Sequence, residues 1–176
     1  YEHLETLPIG PNVATFLGHS NLRMHVMGLD ISFMERDATE EELKKMEKII
    51  EDAMDVGYLG ISIDMLPFHR WAGVYREKYL GFSVPSQRAA KSEYRRLSNV
   101  VRNRNRVLQI TPNAVDKTSF ATILRLSQGG FFKKSLKTTI VAALDLKSNE
   151  KIYNLLKLLG FIGNDILRAN MKFQTL

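Results

Sequence analysis

The chain contains no cysteine, which excludes disulfides and thiolate metal ligands together. No apolar run approaches the roughly 20 residues needed to cross a bilayer. Nor is there the charged start, apolar middle and small-residue cleavage site of a secretory leader. A cytoplasmic protein is the plain expectation. The four histidines (His3, His19, His25 and His69) are never two apart on a strand or four apart on a helix, the pairings that announce a hydrolytic metal site. A Gly-rich phosphate loop and a strand–Ser–helix nucleophile elbow are also missing, as are internal repeats and low-complexity tracts.

What is present is an ordinary globular composition, 44% hydrophobic and 25% charged over 176 residues, with room for one domain and its core. The net charge of +6 is unevenly spread. Residues 39–55 hold seven acids against three lysines, and residues 88–106 hold seven basic residues against Glu93 alone. A basic stretch is either a phosphate footprint or the solvated face of a helix. This one lacks interleaved aromatics and matches no nucleic-acid motif, so no nucleic-acid partner is expected. No membrane partner is expected either.

Apolar runs and turn residues divide the chain into alternating strands and helices. Asn12–Leu17, between Pro11 and Gly18, reads as a buried strand, and a short helix over 21–27 ends at Gly28. The clearest helix covers 40–56. Thr39 and Glu42 form a capping box, the first-turn acids suit the helix dipole, and Leu43, Met46, Ile49, Ile50 and Ala53 make one apolar stripe. A second strand is predicted over 59–63, followed by a long loop from Asp64 to about Pro85. A helix over 91–103 turns Tyr94, Leu97, Val100 and Val101 inward. Then come a strand over 106–111, a helix over 118–127, a strand over 138–144 and a helix over 149–159 closed by Gly160. Met171–Leu176 reads as the start of a further strand, so both ends look cut through structure. Continuous apolar strands alternating with helices imply a parallel sheet covered by helices.

In such sheets ligands collect at the carboxyl ends of the strands. His19, directly after a strand and Gly18, could face a substrate or serve as a helix-cap contact. The 64–85 loop exceeds the usual length of an unstructured connection. Its Asp64, His69 and Arg70 offer a carboxylate, a proton-transfer group and an anion clamp. That set suits a carboxylate-bearing substrate, or equally a lid held by surface pairs. Gln109 lies at the end of the third strand.

Several stretches together resemble the N-acyl-D-amino-acid deacylase (D-aminoacylase) family of metal-dependent amidohydrolases. They are Pro8–Gly28, with Gly18-His19-Ser20-Asn21-Leu22-Arg23 leading to Val26-Met27-Gly28; Arg36–Met46; Gly57–Ser62; Pro67-Phe68-His69-Arg70; Val84–Gln87; and Val107–Pro112. The match is good over roughly 8–112 and weaker beyond. The resemblance implies part of a (β/α)8 TIM barrel, about four consecutive βα units in one segment spanning 1–176. It also implies zinc-activated water attacking the amide of a small N-acyl amino acid in the intact parent. Asp64, His69, Arg70, His19 and Gln109 would then contact substrate.

The family's first metal pair and its last acidic residue are expected outside this segment. The strands where many members carry ligand histidines read Leu108-Gln109-Ile110-Thr111 and Ile140–Asp145. No metal ligand is therefore assigned, and zinc is expected of the parent and not of this chain alone. A repurposed, non-catalytic barrel binding an anionic small molecule is the alternative. Half a barrel would leave unpaired edges open to self-association.

Overall fold

The computed structural model describes residues 6–8, 10, 13–72, 77–113, 116–130, 133–141 and 152–174. Five strands form one sheet in the order β1-β2-β3-β4-β5: β1 (Leu17–Gly18), β2 (Gly60–Asp64), β3 (Val107–Thr111), β4 (Lys137–Ile140) and β5 (Asn170–Phe173). Every neighbouring pair is parallel. Because spatial order equals chain order, every crossover steps the same way. The helices therefore collect on one face, the arrangement of a barrel wall.

Those helices are α1 (His19–Met27), α2 (Leu29–Ser32), α3 (Glu40–Asp55), α4 (Lys91–Asn103), α5 (Lys117–Ser127) and α6 (Ile152–Gly160). Register decides what they cover. Ile61, Leu108, Thr138 and Met171 form one row, and Ile63, Ile110, Ile140 and Phe173 another. These rows pack against Leu22, Met46, Ile50, Leu97, Val101 and Ile123 from the helices. Each fully buried aliphatic side chain contributes about 1.5–3 kcal/mol. The alternate residues point to the other face, where Gly18, Ser62, Gln109, Thr139 and Lys172 lie side by side in a polar row.

Local chemistry explains most boundaries. Thr39 Oγ1 accepts from the Glu42 N–H and Glu42 Oε2 accepts from the Thr39 N–H, at 3.2 and 2.7 Å, so the expected capping box forms. Gly28 ends α1 at φ 86°, its N–H bonding Met24 O, a left-handed step that favours glycine. Gly60 has φ 148°, and a Cβ there would lie 1.9 Å from Val107 O.

Some boundaries differ from expectation. The apolar run 12–17 contributes only Leu17 to the ladder, and Asn12 lies outside the described residues. β2 begins at Gly60; the residue before it, Leu59, donates its N–H to Thr15 O at 2.9 Å, a bond outside the ladder. Gly160 does not close α6. It stays right-handed at φ −62°, and a π-helical turn follows over Phe161–Ile166. The predicted stretches 142–144 and 149–151 lie outside the described residues.

The two charge-biased segments meet. Arg96 on α4 binds Glu47 through Nε and a terminal nitrogen at 2.6 and 2.8 Å, and Glu40 at 2.5 Å. Arg104 reaches Asp55 at 2.6 Å. Arg106 donates to Met54 O. Two of the seven basic residues, Arg96 and Arg104, thus face the acids of α3.

Candidate functional site

Asp64 ends β2 at the sheet's carboxyl edge. Its Oδ1 accepts from the Leu66 N–H at 2.9 Å, turning the chain back on itself. That turn brings His69 round, and its Nδ1 meets Asp64 Oδ2 at 2.5 Å. The histidine stays 54% exposed and the carboxylate 30%. Gln87 secures this geometry by donating through Nε2 to Leu66 O and, at 2.9 Å, to His69 O. A carboxylate bonded to one imidazole nitrogen orients the ring and leaves Nε2 open for proton transfer.

Arg70 does not join that pair. It lies on a small antiparallel arm, bridged to Ser83 through the backbone and through a 2.8 Å bond to Ser83 Oγ. Trp71 and Phe82 continue the arm, and Phe33 packs against Trp71, Tyr79 and Phe82. The long loop is therefore an aromatic-pinned arm. Gln109 lies in the polar row opposite the helices, where its Oε1 accepts from Ser62 Oγ at 2.8 Å.

His19 is elsewhere. It is fully buried, so it lines no pocket here. Its Nε2 donates to Glu93 Oε1 at 2.8 Å and its Nδ1 meets Ser86 Oγ at 3.0 Å. Arg23 binds the other oxygen of Glu93, Ser20 Oγ donates to Ser86 Oγ, and Tyr94 OH donates to Ser86 O. Burial works against the Glu93 charge, but the bonds from His19 and Arg23 outweigh it and hold the carboxyl below its ordinary pKa. Burial, above all, pushes the Tyr94 phenol up. The serine, histidine and glutamate are all 2% exposed or less in this structure. The group locks the end of the arm onto α1 and α4.

Sequence reasoning missed this network. The readable signal was Glu93 itself: it stands four residues before Leu97 on the inward stripe of α4, where a lone acid requires a partner.

A hollow of about 560 Å³ opens nearby, lined by Met65, Gln87, Arg88, Lys91, Tyr94 and Asn113 among others. Asp64, His69, Arg70, Gln109 and His19 are not in its lining. Among the described residues no three His, Asp or Glu side chains converge as metal ligands. Asp64 and His69 supply two donors at most, short of the three or four that zinc needs.

Known structures share this fold. The chain superposes on a D-aminoacylase with a binuclear metal centre at a TM-score of 0.67, covering 99% of this chain and 32% of that one at 17% identity. It superposes on the zinc- and phosphonate-bound N-acyl-D-glutamate deacylase of Bordetella bronchiseptica at 0.66, covering 98% and 32% at 16% identity. The fold is part of a (β/α)8 barrel like those of these two proteins. In sequence the chain is 33% identical over 178 aligned residues to uncharacterized proteins of Mycobacterium bovis and Mycobacterium tuberculosis. It spans 28% of the length of those curated relatives. No family model matches the chain. No helix among the described residues is long and apolar enough to cross a membrane.

Proposed function

We propose that this chain is one segment of the barrel of a hydrolase, and that the whole protein cleaves the linear amide of a small N-acyl amino acid. The observation that carries the reading is the Asp64–His69 contact of 2.5 Å at the carboxyl end of a barrel strand, where such folds place their chemistry. Asp64 orients the imidazole, and His69 Nε2 exchanges a proton with the substrate. Gln109 retains its amide N–H₂ as a donor toward the barrel interior, and the exposed Arg70 meets the substrate carboxylate. His19 acts at one remove, by holding Ser86 and with it the arm. The likeness to two deacylase structures supports this assignment at the level of fold.

The described residues do not complete a zinc site, so no step here runs through a metal. A zinc ion in the whole protein would draw ligands from beyond these strands. The barrel would likewise be closed by further strands beside β1 and β5, the outer members of the sheet, and an isolated segment would self-associate through those edges.

The alternative, a non-catalytic barrel holding an anionic molecule, is favoured by one feature: Lys172 stands in the polar row, in register with Thr139. One experiment separates the two, namely zinc content and N-acyl-D-amino-acid hydrolysis by the full-length protein and by His69→Ala. The enzyme reading expects bound metal and a loss of about 10²–10⁴-fold in the variant, the usual contribution of general acid–base catalysis. Unchanged turnover removes His69 from the mechanism. Absence of both metal and turnover leaves the binding protein.

A further inference from the structure

The basic helix α4 has two charged faces with different fates. Arg96 and Arg104 reach the acids of α3. Lys91 and Arg95 turn the other way, toward α5, and with Ser92, Thr122, Arg125 and Leu126 they line a separate hollow of about 200 Å³. Lys91, Arg95 and Arg125 make no salt bridge among the described residues. The acid that feels the Lys91 charge is Asp116 at the start of α5, but it uses both oxygens on Thr118.

More positive charge stands behind this hollow. Arg102 is 5% exposed. Among the described residues its guanidinium bonds only neutral oxygens, those of Asn99 and of Leu126, the latter a lining residue. Its Nε has no acceptor among them, and burial pulls its pKa down. Lys133 also titrates low, first through desolvation and then because Arg102 and Arg95 repel it. Like charges four apart on a helix, as Lys91 and Arg95 are, destabilise it. Arg125, Arg102 and Lys133 add three more cations, with Asp116 carrying the acid charge that reaches Lys91. Lys91, Arg95 and Arg125 are exposed, and a cluster of one sign lining a concave surface raises the local concentration of its counter-ion, here an anion.

The shape suggests what that anion is. The 200 Å³ and 560 Å³ hollows adjoin at Lys91 and Thr122, which line both. The larger space falls within the range of small-molecule sites, with Met65, Pro67 and Tyr94 in its wall together with the carboxylates of Glu35, Asp37 and Asp116. In the smaller, two guanidiniums, an ammonium and the Ser92 hydroxyl offer the donors that match phosphoryl oxygens. We propose that the α4–α5 seam binds a phosphorylated small molecule, its phosphate or diphosphate between Lys91, Arg95 and Arg125 and its organic part against Tyr94 and Met65. The phosphate end of this site is between α4 and α5, and the proposal does not depend on whether the protein hydrolyses amides.

The test is calorimetric titration of the full-length protein with inorganic pyrophosphate and tripolyphosphate, and with sulfate at matched ionic strength as control. The two phosphates should bind more tightly than sulfate, the triphosphate most. Arg95→Gln/Arg125→Gln should weaken both by at least about tenfold, a difference of about 1.4 kcal/mol. Lys44→Gln, on α3, should change neither. Should the double variant lose its thermal transition, Arg125→Gln alone, at an exposed position, is expected to weaken binding in the same direction. Phosphate binding no tighter than sulfate, or unaffected by these substitutions, overturns the proposal. Tighter binding of a single-stranded RNA oligonucleotide than of tripolyphosphate, lost in the same variants, overturns it in favour of a nucleic-acid surface.

Discussion

Glu93→Gln tests the buried network most directly. Arg23 is 0% exposed and Glu93 2%, so the substitution leaves a full positive charge in the interior without its counter-charge. Removing one partner of a buried ion pair costs about 3–5 kcal/mol. The new amide also presents one oxygen where His19 and Arg23 each use one, so one donor loses its acceptor. In urea, with an m-value of about 2 kcal/mol/M for a domain of this size, the midpoint of the full-length protein should fall by roughly 1.5–2.5 M if this region unfolds as a unit. Arg23→Met/Glu93→Leu, which removes both charges, should recover most of the loss. The gap should also narrow in acid. Because the folded Glu93 pKa is depressed, its contribution is complete above its ordinary value of 4.5. It is lost as pH falls through the folded value, while the amide that replaces it in the variant does not titrate there. A loss below about 1 kcal/mol at pH 7, or a double variant weaker than the single one, would refute the claim that this charge pair holds α1 to α4.

Three further outcomes are expected. Gly60→Ala should strongly destabilise the sheet, seen as a lowered Tm or loss of folded protein, because the new Cβ would overlap Val107 O at 1.9 Å. Leu97→Ala, at a fully buried position, should cost about 2–5 kcal/mol in denaturant melts. Thr39→Ala should cost about 1 kcal/mol. In that last region Glu42, held at about 2 chiefly by its hydrogen bonds from Arg36, should contribute fully above its ordinary value of 4.5. That contribution should fade as pH drops toward about 2, a loss absent from Glu42→Gln in acid titration followed by circular dichroism.

The parts of the fold that were legible are those set by neighbouring residues. Thr39 and Glu42 sit three apart and cap α3 without help from elsewhere. Gly28 ends α1 because only a residue without a side chain takes that left-handed step easily. The apolar runs around Ile61, Leu108 and Ile140 are continuous enough to announce buried strands. What escaped depends on distant partners. His19 read as either a substrate-facing residue or a helix-cap contact, since nothing local shows that Glu93, 74 positions away, lies at hydrogen-bond distance. Arg70 stands beside His69 in sequence, yet its bond to Ser83 keeps it out of the Asp64–His69 contact. Asp64 and His69 were readable as a pair because a single turn joins them. The first strand was overextended because its length is set by where β2 begins, not by its own apolar residues.

The opposition between α3 and α4 bears on how the chain assembles. Successive strand–helix units in a wall of this kind resemble one another, and an apolar helix face would dock almost as well one slot along. Carboxylates on one cylinder and guanidiniums on the next act as matched labels: Arg96 finds Glu40 and Glu47 only when the two cylinders lie in the right order and at the right height. Exposed contacts that add little to the final stability can thereby discriminate strongly against a shuffled arrangement.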